Sequence, residues 1–524
     1  MSYKRIIVSY IIVLTALFFC ALRVCSIALT PRLLETANNT TSKKIVLRNV
    51  RGTIYDCNLN RLTNNFDRYA VLITNNPVAL KSVGDFFTGE EMVEIINEIR
   101  ENKFALRITD RPIYSEGIVS FAYKNGISNE SLAKHIIGYT DSNHRGVSGL
   151  EKAFDDILYN EEQIYINVGI SGQGDLLLGS AKIVNHLSQT QKGLVITIDS
   201  KIQQAAEEAS SKLNKGAVLI TEVETGKIKA MVSRPDYNPE NIGDYLNDES
   251  APLINRALEN FNVGSVFKPC VAAAAIENGC LEFCYNCNGI ANIDGLDFRC
   301  HNLSGHGTVN MEQAIKYSCN TYFYNLAVKL GADKIYDMAK KAGFENFVSL
   351  TNGFFSAKGS LGDIKKLQTS NRALANLSIG QGDLMLSTVV ISNIYSAIAN
   401  GGIYYSPSIY EGELAEGGII NKYEKSTPIK LMKKTTADII KKYLKGVLEE
   451  GGTGVMACPK TVSAAGKTAT AETGIIKNGE KVINTWFCGF FPYDEPKYTV
   501  VVLSENSDSS CGDVFATIAD KIGD

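Results

Sequence analysis

Residues 264–268 read Gly-Ser-Val-Phe-Lys, so that a serine is followed one helical turn later by a lysine. Residues three positions apart lie on the same face of a helix, and the amine of Lys268 is therefore expected to reach the hydroxyl of Ser265. If burial or a neighbouring cation lowers the pKa of the lysine, the neutral amine can activate the serine as a nucleophile. The spacing alone is weak evidence, because Ser131 and Lys134 repeat it on what reads as an ordinary helix surface.

Two further short motifs carry groups of complementary chemistry. Residues 318–320 read Ser-Cys-Asn and supply a second hydroxyl, suited to relaying a proton, and an amide suited to holding a carbonyl group or the lysine. Residues 467–470 read Lys-Thr-Ala-Thr and predict an edge strand that presents a cation and hydroxyls to an anionic ligand. Each motif by itself also fits a structural role, and residues 504–506, which read Ser-Glu-Asn, match the second pattern as well.

The composition of the 524-residue chain is that of an ordinary globular protein, with 53 basic and 56 acidic residues and 45% hydrophobic residues. These values argue against a disordered chain, a collagen-like repeat and nucleic-acid binding driven by bulk basic charge. At about 100–200 residues per domain, the length predicts two to four domains. Strand patterns over 216–232, 485–491 and 498–503 lie on either side of a helical stretch from 264 to about 399, which predicts an α+β catalytic domain.

The N-terminus contains one apolar segment of nearly membrane length. Residues 6–22 carry no charge, follow Lys4 and Arg5, and are extended by apolar residues beyond Arg23 as far as residue 29. A helix over 6–22 spans about 26 Å, short of the roughly 30 Å of a hydrocarbon core, so the span continues past Arg23 or that side chain reaches the interface. We predict a cytoplasmic tail at 1–5 and a transmembrane anchor at 6–29, with a cleaved signal peptide or a buried helix as alternatives.

The three motifs and their neighbours occur in the order found in penicillin-binding proteins, and the chain resembles the class B group of that family. This group consists of monofunctional peptidoglycan transpeptidases anchored by one membrane helix. The resemblance covers roughly residues 45–515 and rests on further segments at matching places along the chain: residues 51–56 (RGTIYD), 146–151 (GVSGLE), 255–257 (NRA), 305–307 (GHG), 379–382 (IGQG), 450–454 (EGGTG) and 486–490 (WFCGF).

The resemblance implies an α+β penicillin-binding transpeptidase fold, in which an antiparallel sheet is flanked by helices and joined by a helical subdomain. Residues 45–195 are then expected to form an extended pedestal domain of the dimerisation type, and residues 200–524 the transpeptidase domain. The protein would cross a bacterial cell membrane once, with its catalytic domain outside the cytoplasm. Elongation, division and sporulation all remain open as the process that it serves.

The resemblance also implies a role for each motif residue. Ser265 would attack the carbonyl of the penultimate D-alanine of a peptidoglycan stem peptide, and Lys268 would take its proton. The amine of a neighbouring stem would then attack the resulting ester, and β-lactams would acylate the same serine. The remaining roles are proton relay by Ser318, substrate and lysine contacts by Asn320, carboxylate binding by Lys467 and Thr468, and an oxyanion hole formed by the N–H groups of Ser265 and Thr470.

Two positions depart from the family pattern, of which the lack of a proline in residues 261–263, before Gly264, is minor. The third motif usually ends in glycine, which lets a ligand approach the strand closely, and Ala469 stands there in this chain. The acylation rate and the β-lactam profile are therefore left open by the sequence.

The resemblance implies no cofactor for catalysis and no nucleic-acid partner. The implied partners are peptidoglycan stem peptides, β-lactams, the membrane and a membrane-embedded glycan polymerase. Two alternatives to transpeptidation are kept. One is a D,D-carboxypeptidase or β-lactam-hydrolysing enzyme, in which water takes the acyl group, and the other is a catalytically idle cell-wall scaffold or β-lactam sensor.

Four cysteines crowd into a short stretch between the first two motifs. Cys280, Cys284, Cys287 and Cys300 are separated by three, two and twelve residues, and His301 follows directly. A close pair of thiols with two further ligands is typical of structural zinc. The family often has cysteines near positions 287 and 300, so a disulfide or buried free thiols are equally open. We predict a structural zinc site on the four cysteines, with His301 as an alternative ligand, or a disulfide among them.

Overall fold

The computed structural model describes residues 3–28, 41–185, 193–415, 418–422, 424–477, 479–507 and 510–523. Parts of the predicted tail, anchor and pedestal, namely residues 1–2, 29 and 186–192, lie outside the described residues. The chain divides into two compact units. The first is Met1–Arg51, Phe66–Asn125 and Asn160–Thr190, and the second is Gly52–Asn65, Gly126–Tyr159 and Gln191–Asp524.

The first unit begins with one long apolar helix, Tyr3–Ala28. With 26 residues this helix is about 39 Å long, more than the roughly 30 Å of a hydrocarbon core. In the described part of the chain it is the one helix long and apolar enough to cross a membrane, although a signal sequence near an N-terminus passes the same test.

Two three-stranded sheets and two helices form the remainder of the first unit. A capping box begins the longer helix, because the Thr88 side chain accepts from Glu91 N–H while the Glu91 carboxylate accepts from Thr88 N–H. One sheet has the order Ser42–Arg51, Tyr159–Ile170, Leu176–Val184, the other has the order Phe104–Thr109, Phe66–Thr74, Ile118–Asn125, and the helices are Pro77–Val83 and Gly89–Asn102.

A five-stranded antiparallel sheet forms the centre of the second unit. Its order is Ile228–Arg234, Gly216–Glu222, Tyr498–Ser504, Glu480–Phe491 and Ala465–Lys477, so the third motif lies in an edge strand. The strand Tyr498–Ser504 is buried along nearly its whole length, which requires helices on both faces of the sheet.

A smaller four-stranded sheet, five two-stranded sheets and a set of helices complete the second unit over the residues that the structure describes. The small sheet has the order Thr53–Tyr55, Gly193–Ile196, Tyr410–Ala415 and Gly418–Ile420. The helices described here are Lys134–Ile137, Gly149–Ala153, Asp155–Leu158, Ser200–Ala209, Lys268–Glu277, Met311–Lys316, Asn320–Leu330, Ala332–Lys341, Ile364–Thr369, Asn371–Ser378, Thr388–Ala399, Lys434–Leu448 and Cys511–Ile522.

Helices cover both faces of the central sheet. On one face, the ring of Phe487 contacts that of Phe515 in the C-terminal helix at a centroid distance of 4.5 Å. On the other face, the Ser396 hydroxyl donates to Thr499 Oγ1 at 3.1 Å. Every residue of the helix Thr388–Ala399, which carries Ser396, is buried, and this agrees with its predominantly apolar sequence. The predicted α+β architecture, an antiparallel sheet flanked by helices, is confirmed.

A glycine-rich loop packs directly against the turn that holds the first motif. Gly264 N–H donates to the Gly380 carbonyl at 2.9 Å, and both residues have a left-handed φ, +63° and +78°. A Cβ added to Gly380 would lie 1.9 Å from the Gly264 carbonyl oxygen. The close contact therefore requires glycine at position 380.

A matched pair of substitutions separates this close contact from the effect of backbone conformation. Gly382 has a φ of +80°, and a Cβ there would come no nearer than 3.8 Å, to Asn376. Alanine at either position incurs the left-handed conformational penalty of about 1 kcal/mol. We expect Gly380→Ala to lower the free energy of unfolding by about 2 kcal/mol more than Gly382→Ala, measured by denaturant unfolding of the detergent-solubilised chain. Equal losses in the two variants would contradict the contact.

Candidate active site

Ser265 lies in a short 3₁₀ turn, Gly264–Phe267, which leads directly into the helix Lys268–Glu277. Ser265 itself is half-buried, whereas its neighbours Gly264 and Val266 are buried. The turn thus holds its main chain in the protein interior and leaves the serine side chain partly accessible.

Side chains from two other elements anchor the main chain on either side of this serine. The Trp486 indole Nε1 donates to the Asn262 carbonyl at 2.8 Å. The Tyr395 hydroxyl donates to the Val266 carbonyl at 2.9 Å. Both donors belong to buried aromatic residues, so the position of the turn is fixed by the central sheet and by the buried helix beside it.

The amine of Lys268 is fully buried and hydrogen-bonded to the second motif. Its Nζ donates to the Ser318 carbonyl at 2.7 Å, to Ser318 Oγ at 3.1 Å and to Asn320 Oδ1 at 2.7 Å. The ring of Phe323 lies 5.3 Å away, measured from Nζ to the ring centroid. Three acceptors match the three N–H bonds of a lysine ammonium group.

The Lys268 amine, which the spacing predicts to reach the Ser265 hydroxyl, makes its hydrogen bonds to other residues. Among the described residues, the three bonds of the amine all go to the second motif. Ser318 reaches the amine because it adopts a left-handed conformation, with a φ of +54°. The sequence spacing therefore placed the two residues in one region of the fold but did not reveal which oxygen atoms hold the amine.

Burial changes the proton affinity of both motif lysines. It lowers the pKa of Lys268 to about 7, against smaller opposing effects of the Cys319 and Cys300 thiols. Burial also holds the pKa of Lys467 well below its usual value, and the positive charge of Lys268 acts in the same direction. The two buried amines therefore favour a state in which at least one of them is neutral.

The third motif passes beside the turn that carries Ser265. A Cβ added to Gly264 would lie 2.8 Å from the Thr470 carbonyl oxygen and 3.3 Å from the Ala471 Cβ. The edge strand Ala465–Lys477 therefore runs in contact with the turn. The first and third motifs are therefore in contact. The second motif joins the first through its hydrogen bonds with Lys268.

Side chains alternate along this edge strand. Lys467 is fully buried, Ala469 is 7% exposed, and Thr470 is exposed. Thr468 is half-buried, and its hydroxyl donates to Thr453 Oγ1 at 3.1 Å. The Lys467 amine donates to the Thr468 carbonyl at 3.1 Å. Thr453 is therefore a contact residue of the third motif, although in the sequence it belonged only to the quoted segment 450–454.

The other serine–lysine pair with the same spacing has a different environment. Lys134 Nζ lies 2.7 Å from a carboxylate oxygen of Asp236 and donates to the Asn129 carbonyl at 2.9 Å. The Ser131 hydroxyl accepts from Ser128 N–H at 2.8 Å. The amine is therefore held in an ion pair with Asp236, so this pair has a structural role.

Four metal-binding side chains converge behind the second motif: Cys287, Cys300, His306 and Cys319. One ligand atom from each lies within 4.8 Å of the others. His306 Nδ1 lies 3.5 Å from Cys287 Sγ and 3.6 Å from Cys300 Sγ. Tetrahedral zinc with bonds of about 2.3 Å to sulfur separates its ligands by about 3.8 Å, so this donor set fits the ion after small movements.

This cluster contains only two of the four predicted cysteines. Cys284 is exposed, Cys280 Sγ donates to the Asn278 carbonyl at 3.9 Å, and neither belongs to the cluster. His301, the alternative ligand, is exposed, with its Nδ1 3.8 Å from Cys300 Sγ. The side chains that meet in the structure are therefore Cys287, Cys300, His306 and Cys319, and the predicted Cys280, Cys284 and His301 lie outside this group.

Strand pairing explains why the observed cluster differs from the set of residues predicted from sequence. The strand Tyr285–Cys287 pairs with Gly307–Val309, and His306 N–H donates to the Cys287 carbonyl at 3.0 Å. This pairing brings His306 beside Cys287. Both missed ligands were visible in the sequence as members of quoted motifs, His306 within 305–307 and Cys319 within 318–320.

The thiols of the cluster interact with one another. A hydrogen bond from the Cys319 thiol lowers the pKa of Cys300 and raises that of Cys319. Burial lowers the pKa of His306, which favours the neutral imidazole. A thiolate and a neutral imidazole are the forms that bind metal ions.

Comparison with known proteins places these motifs in a family. Residues 216–524, more than half of the chain, match the penicillin binding protein transpeptidase domain. Peptidoglycan D,D-transpeptidase PbpA of Mycobacterium tuberculosis is 30% identical over 354 residues, which cover 62% of this chain and 70% of that protein. Stage V sporulation protein D of Bacillus subtilis is 27% identical over 401 residues, 72% of this chain. The chain spans only 59% of the length of that relative.

A solved structure agrees with this match at the level of fold. Penicillin-binding protein PBP2 from Helicobacter pylori superposes with a TM-score of 0.68 and 19% identity, covering 92% of this chain and 99% of that one. The fold predicted from the resemblance is thereby confirmed. The chain belongs to the penicillin-binding proteins with a transpeptidase domain, in the class B group that its ordered motifs predicted.

Proposed function

We propose that this chain is a serine-type D,D-transpeptidase that cross-links peptidoglycan stem peptides through an acyl-enzyme on Ser265. The observation that carries the proposal is the buried amine of Lys268, held by Ser318 and Asn320 beside the serine-bearing turn. The name of the PbpA relative, peptidoglycan D,D-transpeptidase, supports the same reaction. Among the predicted alternatives, transpeptidation agrees best with this name and with the intact set of motifs.

In the first half of the reaction, Ser265 Oγ would attack the carbonyl carbon of the penultimate D-alanine. Lys268, as the neutral amine, would take the hydroxyl proton, and Ser318 would pass a proton to the nitrogen of the leaving terminal D-alanine. The C–N bond breaks, and an ester to Ser265 forms. N–H groups of Ser265 and Thr470 would stabilise the oxyanion, and the loss of one such donor typically slows a reaction about 10²–10³-fold.

In the second half, the amine of a neighbouring stem peptide would attack this ester. A new amide bond forms, the ester bond breaks, and Ser265 regains its proton. Asn320 would hold the substrate amide, and Lys467 with Thr468 would bind the terminal carboxylate of the donor peptide. Ala469 would lie beside the bound peptide. A β-lactam would enter the same site and acylate Ser265, because it resembles the D-Ala-D-Ala end.

We also propose that the helix Tyr3–Ala28 anchors the chain in a bacterial membrane, with the catalytic unit on the outer side. The helix is long enough for one pass and has no acidic residue in its first turn and no basic residue in its last turn. The family resemblance adds a membrane-embedded glycan polymerase as a partner. Residues 1–5, 6–29, 45–195 and 200–524 remain our proposed tail, anchor, pedestal and transpeptidase domain.

Catalysis in this proposal needs no cofactor, and the cysteine cluster would hold a structural zinc ion. With zinc bound, Cys287, Cys300 and Cys319 would supply thiolates, and His306 would supply a neutral nitrogen. Cys319 lies between Ser318 and Asn320, the two residues that hold the Lys268 amine. Zinc would therefore stabilise the second motif rather than activate water, because four protein ligands fill its coordination shell.

The assignment of the nucleophile is tested by labelling with a fluorescent penicillin. We expect Ser265→Ala to abolish the covalent adduct, because the attacking oxygen is removed, while Ser131→Ala keeps it. Ser131 is the matched control, since it stands three residues before a lysine in the same chain. Mass mapping of wild-type protein should place the adduct on the peptide that contains Ser265. An adduct on Ser265→Ala protein would contradict the proposal.

The same variants test the reaction. Wild-type protein given a pentapeptide stem and an acceptor amine should release D-alanine and form a cross-linked product, and Ser265→Ala should do neither. Release of D-alanine with no cross-linked product would favour hydrolysis, and full complementation of a gene deletion by Ser265→Ala would favour a scaffold.

The buried amine predicts a pH dependence of acylation. Because burial lowers the pKa of Lys268 to about 7, the base is protonated below that pH and neutral above it. We expect the acylation rate by benzylpenicillin to rise about tenfold per pH unit below 7 and to level off above it. The charged and titratable groups around the amine include Lys467, Cys300, Cys319 and His306. A rate that is constant between pH 5.5 and 8.5 would contradict this role of the amine.

Metal analysis with two pairs of cysteine variants tests the zinc site. Purified full-length protein, prepared under reducing conditions without chelator, should contain close to one zinc per chain. Cys287→Ser/Cys319→Ser should lose the zinc and unfold at lower temperature, because two ligands are removed. Cys280→Ser/Cys284→Ser, the matched control, should retain it. Absence of zinc from the wild-type protein would contradict the proposal.

A further inference from the structure

We propose that Tyr395 is a positioning residue for acylation, which acts through the main chain of the turn that carries Ser265. The inference rests on the proposed function, in which Ser265 is the nucleophile. Tyr395 lies outside the three motifs, in the buried helix Thr388–Ala399. Its role is inferred from three features: the hydrogen bond that its hydroxyl makes, a proline beside that bond, and the way in which its helix is held.

The hydrogen bond joins the tyrosine hydroxyl to the residue directly after the nucleophile. The Tyr395 hydroxyl donates to the Val266 carbonyl at 2.9 Å, and both residues are fully buried. Burial raises the pKa of Tyr395 well above its usual value, so the hydroxyl keeps its proton at neutral pH. The tyrosine is therefore a constant donor to this carbonyl.

Pro269 explains why a side chain is needed as the donor. In a 3₁₀ turn each carbonyl accepts from the N–H group three residues later, and the Ser265 carbonyl accepts from Lys268 N–H in this way. The next carbonyl in the series, that of Val266, would accept from residue 269, which is a proline and has no N–H group. A buried carbonyl without a donor is costly, and the Tyr395 hydroxyl takes the place of the missing N–H group.

The tyrosine completes a pair of main-chain contacts, one on each side of Ser265. Before the serine, the Asn262 carbonyl accepts from the Trp486 indole, and after it the Val266 carbonyl accepts from Tyr395. With both sides held, the N–H group and the side chain of the serine keep one orientation. Loss of the second contact would let the adjoining peptide group rotate, and a displacement of about 1 Å at the reacting atom can slow a reaction about 10²-fold.

The helix that carries Tyr395 is itself held at both ends. At its beginning, the Thr388 hydroxyl donates to the Ala257 carbonyl at 2.8 Å. Near its end, the Ser396 hydroxyl donates to Thr499 Oγ1 in the central sheet. The tyrosine hydroxyl therefore reaches the turn from a rigid support, which is what a positioning group requires.

The inference is tested with two substitutions that remove equivalent hydrogen bonds. Tyr395→Phe removes the hydroxyl and keeps the ring. Tyr404→Phe is the matched control, because Tyr404 is also buried and its hydroxyl donates to a main-chain carbonyl outside the three motifs, that of Lys341, at 3.0 Å. Full-length protein is treated with benzylpenicillin, and three quantities are measured: the first-order rate constant of acylation, the dissociation constant of the noncovalent complex and the fraction of protein labelled at completion.

We expect Tyr395→Phe to slow acylation about 10-fold or more. The dissociation constant should change less than about twofold and labelling should still reach completion, because the binding groups and the fold are retained. Tyr404→Phe should leave all three quantities unchanged. An unchanged acylation rate in Tyr395→Phe would overturn the inference, and so would incomplete labelling of that variant, which would indicate a structural role.

A double-mutant cycle with Pro269→Ala tests whether the missing hydrogen bond is the cause. This substitution gives residue 269 an N–H group in the register that the Val266 carbonyl requires. We therefore expect Tyr395→Phe to slow acylation less than about threefold when Pro269→Ala is present in both proteins that are compared. An equal loss with and without Pro269→Ala would contradict the inference. If wild-type protein itself forms no adduct, the proposed function fails as well; if only the variants disagree, the proposed function stands.

Discussion

The amine of Lys268 is buried among oxygen atoms that carry no formal charge, and the arrangement of the site depends on keeping it there. Burial penalises the ammonium form, and a carbonyl, a hydroxyl and an amide oxygen offset only part of that penalty. The amine therefore remains close to the point at which it can lose a proton. Ser318 takes a left-handed conformation to bring two of these oxygens to it, a conformation that costs of order 1 kcal/mol and is held by the packing around it.

Local sequence predicted the fold class and the identity of the motifs, because both depend on short patterns. The edge position of the Lys467 strand followed from its polar residues, and the central sheet followed from the apolar runs. Local sequence assigned the Ser131–Lys134 pair to an ordinary helix surface, whereas both residues are buried. Lys134 has the same spacing from a serine as Lys268, but it is paired with Asp236, about one hundred residues away in the chain. An ion pair between residues so far apart in the sequence is identified only in the folded structure.

The cysteine cluster is a second case in which spacing along the sequence did not identify the side chains that meet in the fold. The spacing of Cys280 and Cys284 from the other thiols is typical of a zinc site, yet strand pairing determines which side chains come together. His306 is brought beside Cys287 by a two-stranded ladder, and Cys319 is placed by the second motif itself. Linear distance between cysteines indicated that a cluster exists nearby, but not which side chains form it.

The indole of Trp486 has a consequence for observing this protein in solution. It donates to the Asn262 carbonyl, three residues before Ser265, and it is the single tryptophan of the chain. Ultraviolet excitation above the tyrosine band therefore addresses one fluorophore that touches the serine-bearing turn. The wavelength and intensity of its emission are an intrinsic optical record of that turn, obtained without any dye or engineered label.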